Sequence, residues 1–199
     1  WFKGKIISTK ATMALAEPLL LDAMEIVGHA AEGGGLEEFY NEHDISATMR
    51  LWSGIGYNKK VGLPDGITLE LLDAGHILGS AITVLALDDN GRNLSLCYTG
   101  DLGRENLPII RDPFQVNAAD VLLIESTYGN RLHADIKQAA DKLADIINKT
   151  VKRGGKLIVP VFALERTQEL VYTLHLLRMA NKIPPIPVYV DSPLALDAT

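Results

Sequence analysis

Hydrophobic positions in the first sixty residues recur with a helical period. Lys5–Ser8 reads as a short strand, and the apolar residues that follow are spaced three and four apart. They predict a helix that is capped by Thr9 or Thr12 and ends at the glycines 33–35. A second, shorter helix is predicted from Asp44 to Trp52.

The pattern changes to strands at about residue 67. ITLELLDA (67–74) alternates between apolar and polar positions, and AITVLALD (81–88) follows the loop GHILGS. NLSLCYT (93–99) comes after a turn that contains Asn90-Gly91, which predicts a β-hairpin. DVLLIE (120–125) is a continuous apolar run that ends in a charge, and it predicts a strand buried on both faces.

The last third alternates between the two element types. Helices are predicted over 134–152 and 164–180, and strands over KLIVPV (156–161) and PIPVYVD (185–191). Strand–helix–strand alternation indicates a parallel α/β layer. Two layouts therefore meet near residue 130.

The composition is that of a globular protein, with 47% apolar and 22% charged residues among 199. No apolar run approaches the roughly 20 residues of a membrane span, so we expect no membrane partner. The single cysteine, Cys97, excludes an internal disulfide and a cysteine-rich zinc site; we expect a buried thiol and a cytoplasmic location. The net charge of −6 counts against non-specific nucleic-acid binding. A small basic groove or a pair of metal ions would still bind phosphate groups locally.

Three polar loops follow predicted strands, at 73–76, 100–101 and 125–128. The first two place acidic or histidine residues next to glycine, and Gly129 follows the third, a combination suited to a site at the rim of a sheet. Taken singly, each loop has a structural explanation that is more frequent than a metal site. These explanations are a hydrogen-bonded histidine, a Gly-Asp turn and a helix-capping glutamate.

The amino-acid sequences of these loops and of the segments that follow them carry more information than the residue types alone. LLDAGHILGSA, YTGDLGRE, LLIESTYGNRLH, GGKLIVPVFALERTQEL and VYVDSPLA occur in this order. Together they closely resemble the β-CASP branch of the metallo-β-lactamase superfamily, a family of RNA-processing nucleases. The resemblance implies an α/β (α+β) fold: a partial metallo-β-lactamase αββα sandwich over 1–129, then the start of an α/β β-CASP domain over 130–199.

The same resemblance implies roles for five residues. His76 would ligate one metal ion, and Asp101 would bridge two ions and so take part in catalysis. Glu125 would be a catalytic acidic residue that partners a later histidine, and that histidine would protonate the leaving group. Arg166 and Ser192 lie in motifs of the lid domain and would contact substrate phosphates.

The implied cofactor is a pair of zinc ions, with manganese as the alternative, and the implied reaction is hydrolysis of single-stranded RNA by an activated hydroxide. The family's His-x-His-x-Asp-His signature is absent from this sequence, and Glu165 stands where many relatives have glycine. We therefore expect an internal piece of a longer protein that binds zinc weakly and cleaves nothing by itself.

Two other functions stay open. One is a small-molecule metallo-hydrolase that acts on thioesters or lactams, although the lid motifs argue against it. The other is a non-catalytic scaffold subunit, although such paralogues tend to lose the ligands that are kept here at His76 and Asp101. The sequence leaves open whether the cut is internal or terminal, whether RNA is preferred over DNA, and the oligomeric state, a homodimer included.

Overall fold

The computed structural model describes residues 2–32, 40–89, 91–131 and 136–199. These residues form two compact units, Trp1–Glu125 (unit 1) and Ser126–Thr199 (unit 2). The elements of unit 1 are β1 (Ile6–Thr9), α1 (Lys10–Glu32), α2 (Glu42–Met49), β2 (Trp52–Ile55), β3 (Lys60–Gly62), a 3-10 turn (Pro64–Gly66), β4 (Thr68–Asp73), β5 (Ala81–Asp89), β6 (Arg92–Tyr98) and β7 (Val121–Leu123). Unit 2 contains α3 (Ile136–Lys152), α4 (Arg166–Met179) and α5 (Pro193–Asp197).

The two helices of unit 1 begin at capping side chains. Thr9 precedes α1, and its hydroxyl accepts the backbone N–H of Thr12 at 3.1 Å, so Thr9 is the cap of the two candidates. Asn41 forms a reciprocal capping box with Asp44 and starts α2 at Glu42. The predicted bounds of α2 were therefore wrong at both ends, since Trp52 already belongs to β2.

Seven strands of unit 1 form two sheets. β1 and β2 pair in parallel, and the second sheet has the order β3-β4-β5-β6-β7, antiparallel up to β6 and parallel between β6 and β7. The predicted hairpin is confirmed as the antiparallel pair β5–β6; Asn90 of its turn lies outside the described residues. Cys97 is fully buried with Leu72, Ala74 and Ile82, as predicted, and burial raises the pKa of its thiol. The mixed α/β class is confirmed.

The strand β7 departs from the prediction of burial on both faces. Val121, Leu122 and Leu123 are 48%, 56% and 49% exposed. The reason is position: β7 is the last strand of its sheet, and the described residues of unit 1 place no layer over its faces. A continuous apolar run indicates that a strand is suited to burial on both faces. Whether it is buried depends on the elements that pack against those faces.

Unit 2 is held by its helices. Ala144 and Ile147 of α3 pack against Leu177 of α4 and against Ile183. The strands predicted over 156–161 and 185–191 were wrong, because both segments run without ladder partners and no strand occurs among the described residues of unit 2. A strand needs a hydrogen-bonded neighbour as well as an apolar sequence.

Candidate metal centre

His76 lies in the loop that connects β4 and β5, and Ser80 organises this loop. The Ser80 hydroxyl accepts the backbone N–H groups of His76 at 3.1 Å and of Ile77 at 3.3 Å. The Ser80 carbonyl accepts the N–H of Ala74 at 3.3 Å. The backbone on both sides of His76 is thereby closed into a compact turn.

Asp101 lies in the loop after β6, and backbone contacts join this loop to the His76 loop. The N–H of Gly103 donates to the carbonyl of Ala74 at 2.8 Å. A Cβ atom at Gly103 would lie 1.4 Å from the Gly75 carbonyl oxygen, so only glycine allows this approach. The two loops therefore hold each other through main-chain atoms.

This contact brings the two predicted metal ligands together. His76 Nε2 lies 3.8 Å from Asp101 Oδ2, and their side chains are 33% and 72% exposed. The distance is too long for a hydrogen bond. Ligand bonds to zinc are about 2.0–2.2 Å, so both atoms can reach one ion placed between them, and a nitrogen–oxygen donor set suits zinc. Within the described ranges no cluster of three or more His, Cys, Asp or Glu side chains could hold a metal.

Glu125 follows β7 and lies against the Asp101 loop. Its Oε1 accepts the N–H of Leu102, the residue after Asp101, at 2.7 Å. Its own N–H donates to the Thr99 hydroxyl at 3.4 Å. Three predicted site residues, His76, Asp101 and Glu125, are thus brought to one rim of the sheet in unit 1.

Arg166 and Ser192 belong to unit 2, and both have local structural partners. Arg166 is the first residue of α4, and its guanidinium contacts Glu169 Oε2 at 2.6 Å. Ser192 caps α5 by accepting the N–H of Ala195 at 3.2 Å. Their predicted phosphate contacts stay predictions.

The backbone at Glu165, immediately before α4, has an unusual conformation. Glu165 has φ 63° and ψ −55°, and the N–H of Arg166 donates to the Leu164 carbonyl at 2.7 Å. This geometry is the rarer, strained form of the γ-turn, which glycine adopts more easily. The residue before α4 therefore has a backbone conformation that favours glycine, although it is a buried glutamate.

Two supporting side chains, those of Tyr57 and Ser80, were missed from the sequence, whereas Asp73 belongs to a loop that the sequence singled out. The Tyr57 hydroxyl donates to the Ser80 carbonyl at 2.9 Å, and burial, with the nearby Asp73 carboxylate, raises the pKa of Tyr57. Asp73 Oδ1 accepts the N–H of Gly75 at 2.9 Å. Tyr57 and Ser80 carried no signal, because each acts through a contact with distant or backbone atoms.

Comparison with known proteins identifies the family. No protein-family model matches the sequence. The chain is 32% identical over 194 residues to Ribonuclease TTHA0252 of Thermus thermophilus, covering 98% of the chain and 42% of that ribonuclease. It is 35% identical to an RNase J-like protein of Methanocaldococcus jannaschii, over 80% of the chain and 38% of the relative. It is 31% identical to Cleavage and polyadenylation specificity factor 73 of Drosophila melanogaster, over 98% of the chain and 27% of the relative.

The chain belongs to the β-CASP branch of the metallo-β-lactamase superfamily. It spans less than half the length of these β-CASP relatives. No helix among the described residues has the length and apolar character to cross a membrane.

Proposed function

We propose that this chain carries part of the metal centre of an RNA-cleaving phosphodiesterase. The observation that carries the proposal is the convergence of His76 Nε2 and Asp101 Oδ2 at 3.8 Å on a rim that Glu125 also reaches. The names of the β-CASP relatives, among them a ribonuclease, support RNA as the substrate.

The residues present fit a divalent metal centre. His76 would supply a nitrogen ligand and Asp101 an oxygen ligand, as zinc prefers, while more oxygen-rich sites suit manganese. Bound divalent ions would lower the pKa of water and neutralise charge on the phosphoryl oxygens. Glu125 would hold the Asp101 loop in place through the N–H of Leu102.

The distribution of charge supports a polyanionic substrate better than the net charge does. Unit 1 carries nine Lys and Arg against 18 Asp and Glu, whereas unit 2 carries ten against seven. Lys152, Arg153 and Lys156 at the end of α3 are exposed. These basic side chains would bind phosphate groups, and single-stranded RNA would be the preferred form because its phosphates and bases are accessible.

The ligand count limits what these residues do alone. A structural zinc site has four protein ligands and a catalytic one has three, whereas His76 and Asp101 supply two. We expect activity only in a protein that adds the His-x-His-x-Asp-His motif to this chain. The 199 residues alone should bind zinc weakly, and two tightly held ions per chain would contradict this.

The test is cleavage of a labelled single-stranded RNA by the complete protein with zinc, beside its Asp101→Asn variant. We expect the complete protein to cut and the variant to lose activity by at least about 100-fold, because a carboxylate that would hold the metal is removed. Turnover of a thioester or a lactam instead would place the protein among small-molecule hydrolases. Inactivity on every substrate, with zinc bound, would favour a scaffold subunit.

A further inference from the structure

Two hydroxyl groups at the start of α1 converge on the loop that carries His76. The Oγ1 atoms of Thr9 and Thr12 each lie 2.9 Å from the carbonyl oxygen of Gly79, and 2.9 Å from each other. They come from 70 and 67 residues earlier in the chain, and Thr9 is only 3% exposed. The contact therefore joins distant parts of the chain and is largely shielded from solvent, where hydrogen bonds are stronger than in water.

The loop is shaped to receive these hydroxyls. Gly79 has φ +92°, and a Cβ atom there would lie 2.7 Å from both the N and Oγ1 of Thr12. Only glycine can bring its backbone this close to the helix start. The next residue, Ser80, accepts the N–H of His76 through its hydroxyl, so a fixed Gly79 also fixes the turn around His76.

Helix capping explains only part of this arrangement. The cap uses Thr9 as an acceptor for the N–H of Thr12, and it needs neither the Thr12 hydroxyl nor Gly79. Each hydroxyl has one proton, and both Oγ1 atoms lie within hydrogen-bond distance of the Gly79 carbonyl, so either threonine can donate to it. Loss of one threonine leaves the other as donor, whereas loss of both leaves the carbonyl without either.

We infer that Thr9 and Thr12 are positioning residues for His76, which they hold through Gly79 and Ser80. The inference rests on the proposed function, since it takes His76 as a metal ligand. Their effect should appear as metal affinity, because a ligand whose backbone is free to move pays an ordering cost on binding.

The test uses the complete protein with zinc affinity as the readout, measured by chelator competition, together with the visible spectrum of the cobalt-substituted form. The variants are Thr12→Val, the double Thr9→Val/Thr12→Val, the double Thr9→Ser/Thr12→Ser, and His76→Ala. We expect the double valine variant to weaken zinc binding about tenfold, which is typical when a residue that orients a metal ligand is replaced. Thr12→Val should have a smaller effect. The double serine variant should retain wild-type affinity, because it keeps both hydroxyls.

Thr167→Val in unit 2 is the matched control. Its hydroxyl is also buried and donates to a carbonyl, that of Phe162, at 2.8 Å. It should lower the melting temperature and leave zinc affinity and the cobalt spectrum unchanged. If it weakens zinc as much as the double valine variant does, general destabilisation explains the effect and the inference is overturned.

The His76→Ala variant separates two kinds of failure. If it loses zinc while the double valine variant binds normally, the positioning role is wrong and the metal centre stands. If His76→Ala binds zinc like the wild type, the proposed metal centre fails, and the positioning role fails with it.

Discussion

Glu125 Oε1 accepts the backbone N–H of Leu102 at 2.7 Å, which joins the segment that follows β7 to the residue after Asp101. Glu125 therefore has a positioning role in addition to any role of its charge. The bond needs an acceptor oxygen at this place, which both a carboxylate and a carboxamide supply.

Glu125→Gln and Glu125→Leu should separate these roles. Glutamine keeps the acceptor and removes the charge, so we expect wild-type zinc content and stability. Leucine leaves the Leu102 N–H without its acceptor, and we expect a loss of about 1 kcal/mol in the free energy of unfolding together with weaker zinc binding. Urea unfolding and metal analysis measure both quantities. RNA cleavage by the glutamine variant near the wild-type rate would show that position is the whole contribution, and a large loss with zinc retained would assign a role to the charge.

Gly103→Ala should be the most damaging small substitution in unit 1. Its Cβ would lie 1.4 Å from the Gly75 carbonyl, and main-chain atoms have no rotamer through which to move away. We expect the free energy of unfolding to fall by about 3 kcal/mol, at the upper end for overpacking. The control is Gly62→Ala in β3, where a Cβ would meet nothing within 4 Å; it should change stability by less than about 0.5 kcal/mol. Equal effects of the two substitutions would contradict the close approach of the loops.

Glu165 offers a test of backbone strain. Alanine at this position removes the carboxylate and keeps the Cβ, whereas glycine removes both. Because φ is 63° with ψ −55°, we expect Glu165→Gly to be more stable than Glu165→Ala by about 1–2 kcal/mol. In an unstrained helix the order is reversed. Thermal unfolding of the two variants measures the difference, and a more stable alanine variant would show that the turn relaxes.

Asp120 should titrate below its ordinary pKa of 3.8 because of Ser95. The Asp120 carboxylate accepts the Ser95 hydroxyl at 2.7 Å and the Ser95 N–H at 2.8 Å, and these bonds lower its pKa by favouring the charged form. The lowered pKa of Asp120 stabilises the folded state at pH values above its ordinary pKa. This stabilisation is lost as the pH falls through the lowered pKa of the folded state. In Ser95→Ala the pKa of Asp120 should rise part of the way to 3.8, since the N–H bond remains. Carboxyl NMR shifts against pH measure it, and an unchanged pKa would mean that the hydroxyl bond contributes nothing.

Local rules predicted most elements of unit 1 but neither β2 nor β3, and the roles of His76, Asp101 and Glu125 came from the resemblance to the β-CASP family. Alternation located β4, β5 and β6 because each strand has one face on the core, and strand ends placed His76, Asp101 and Glu125 on one rim. The exposure of β7 and the unpaired segments 156–161 and 185–191 followed from missing neighbours, which an apolar pattern does not report. The Thr9–Gly79 contact escaped because a threonine before a helix looks the same whether it caps the helix alone or also holds a loop 70 residues away.

The contact between Gly103 and Gly75 limits how the sequence of these two loops can change. Since the backbones of the two loops touch here, any side chain at position 103 would push apart the loops that carry His76 and Asp101. Descendants of this sequence that keep the proposed metal centre should therefore keep glycine at position 103.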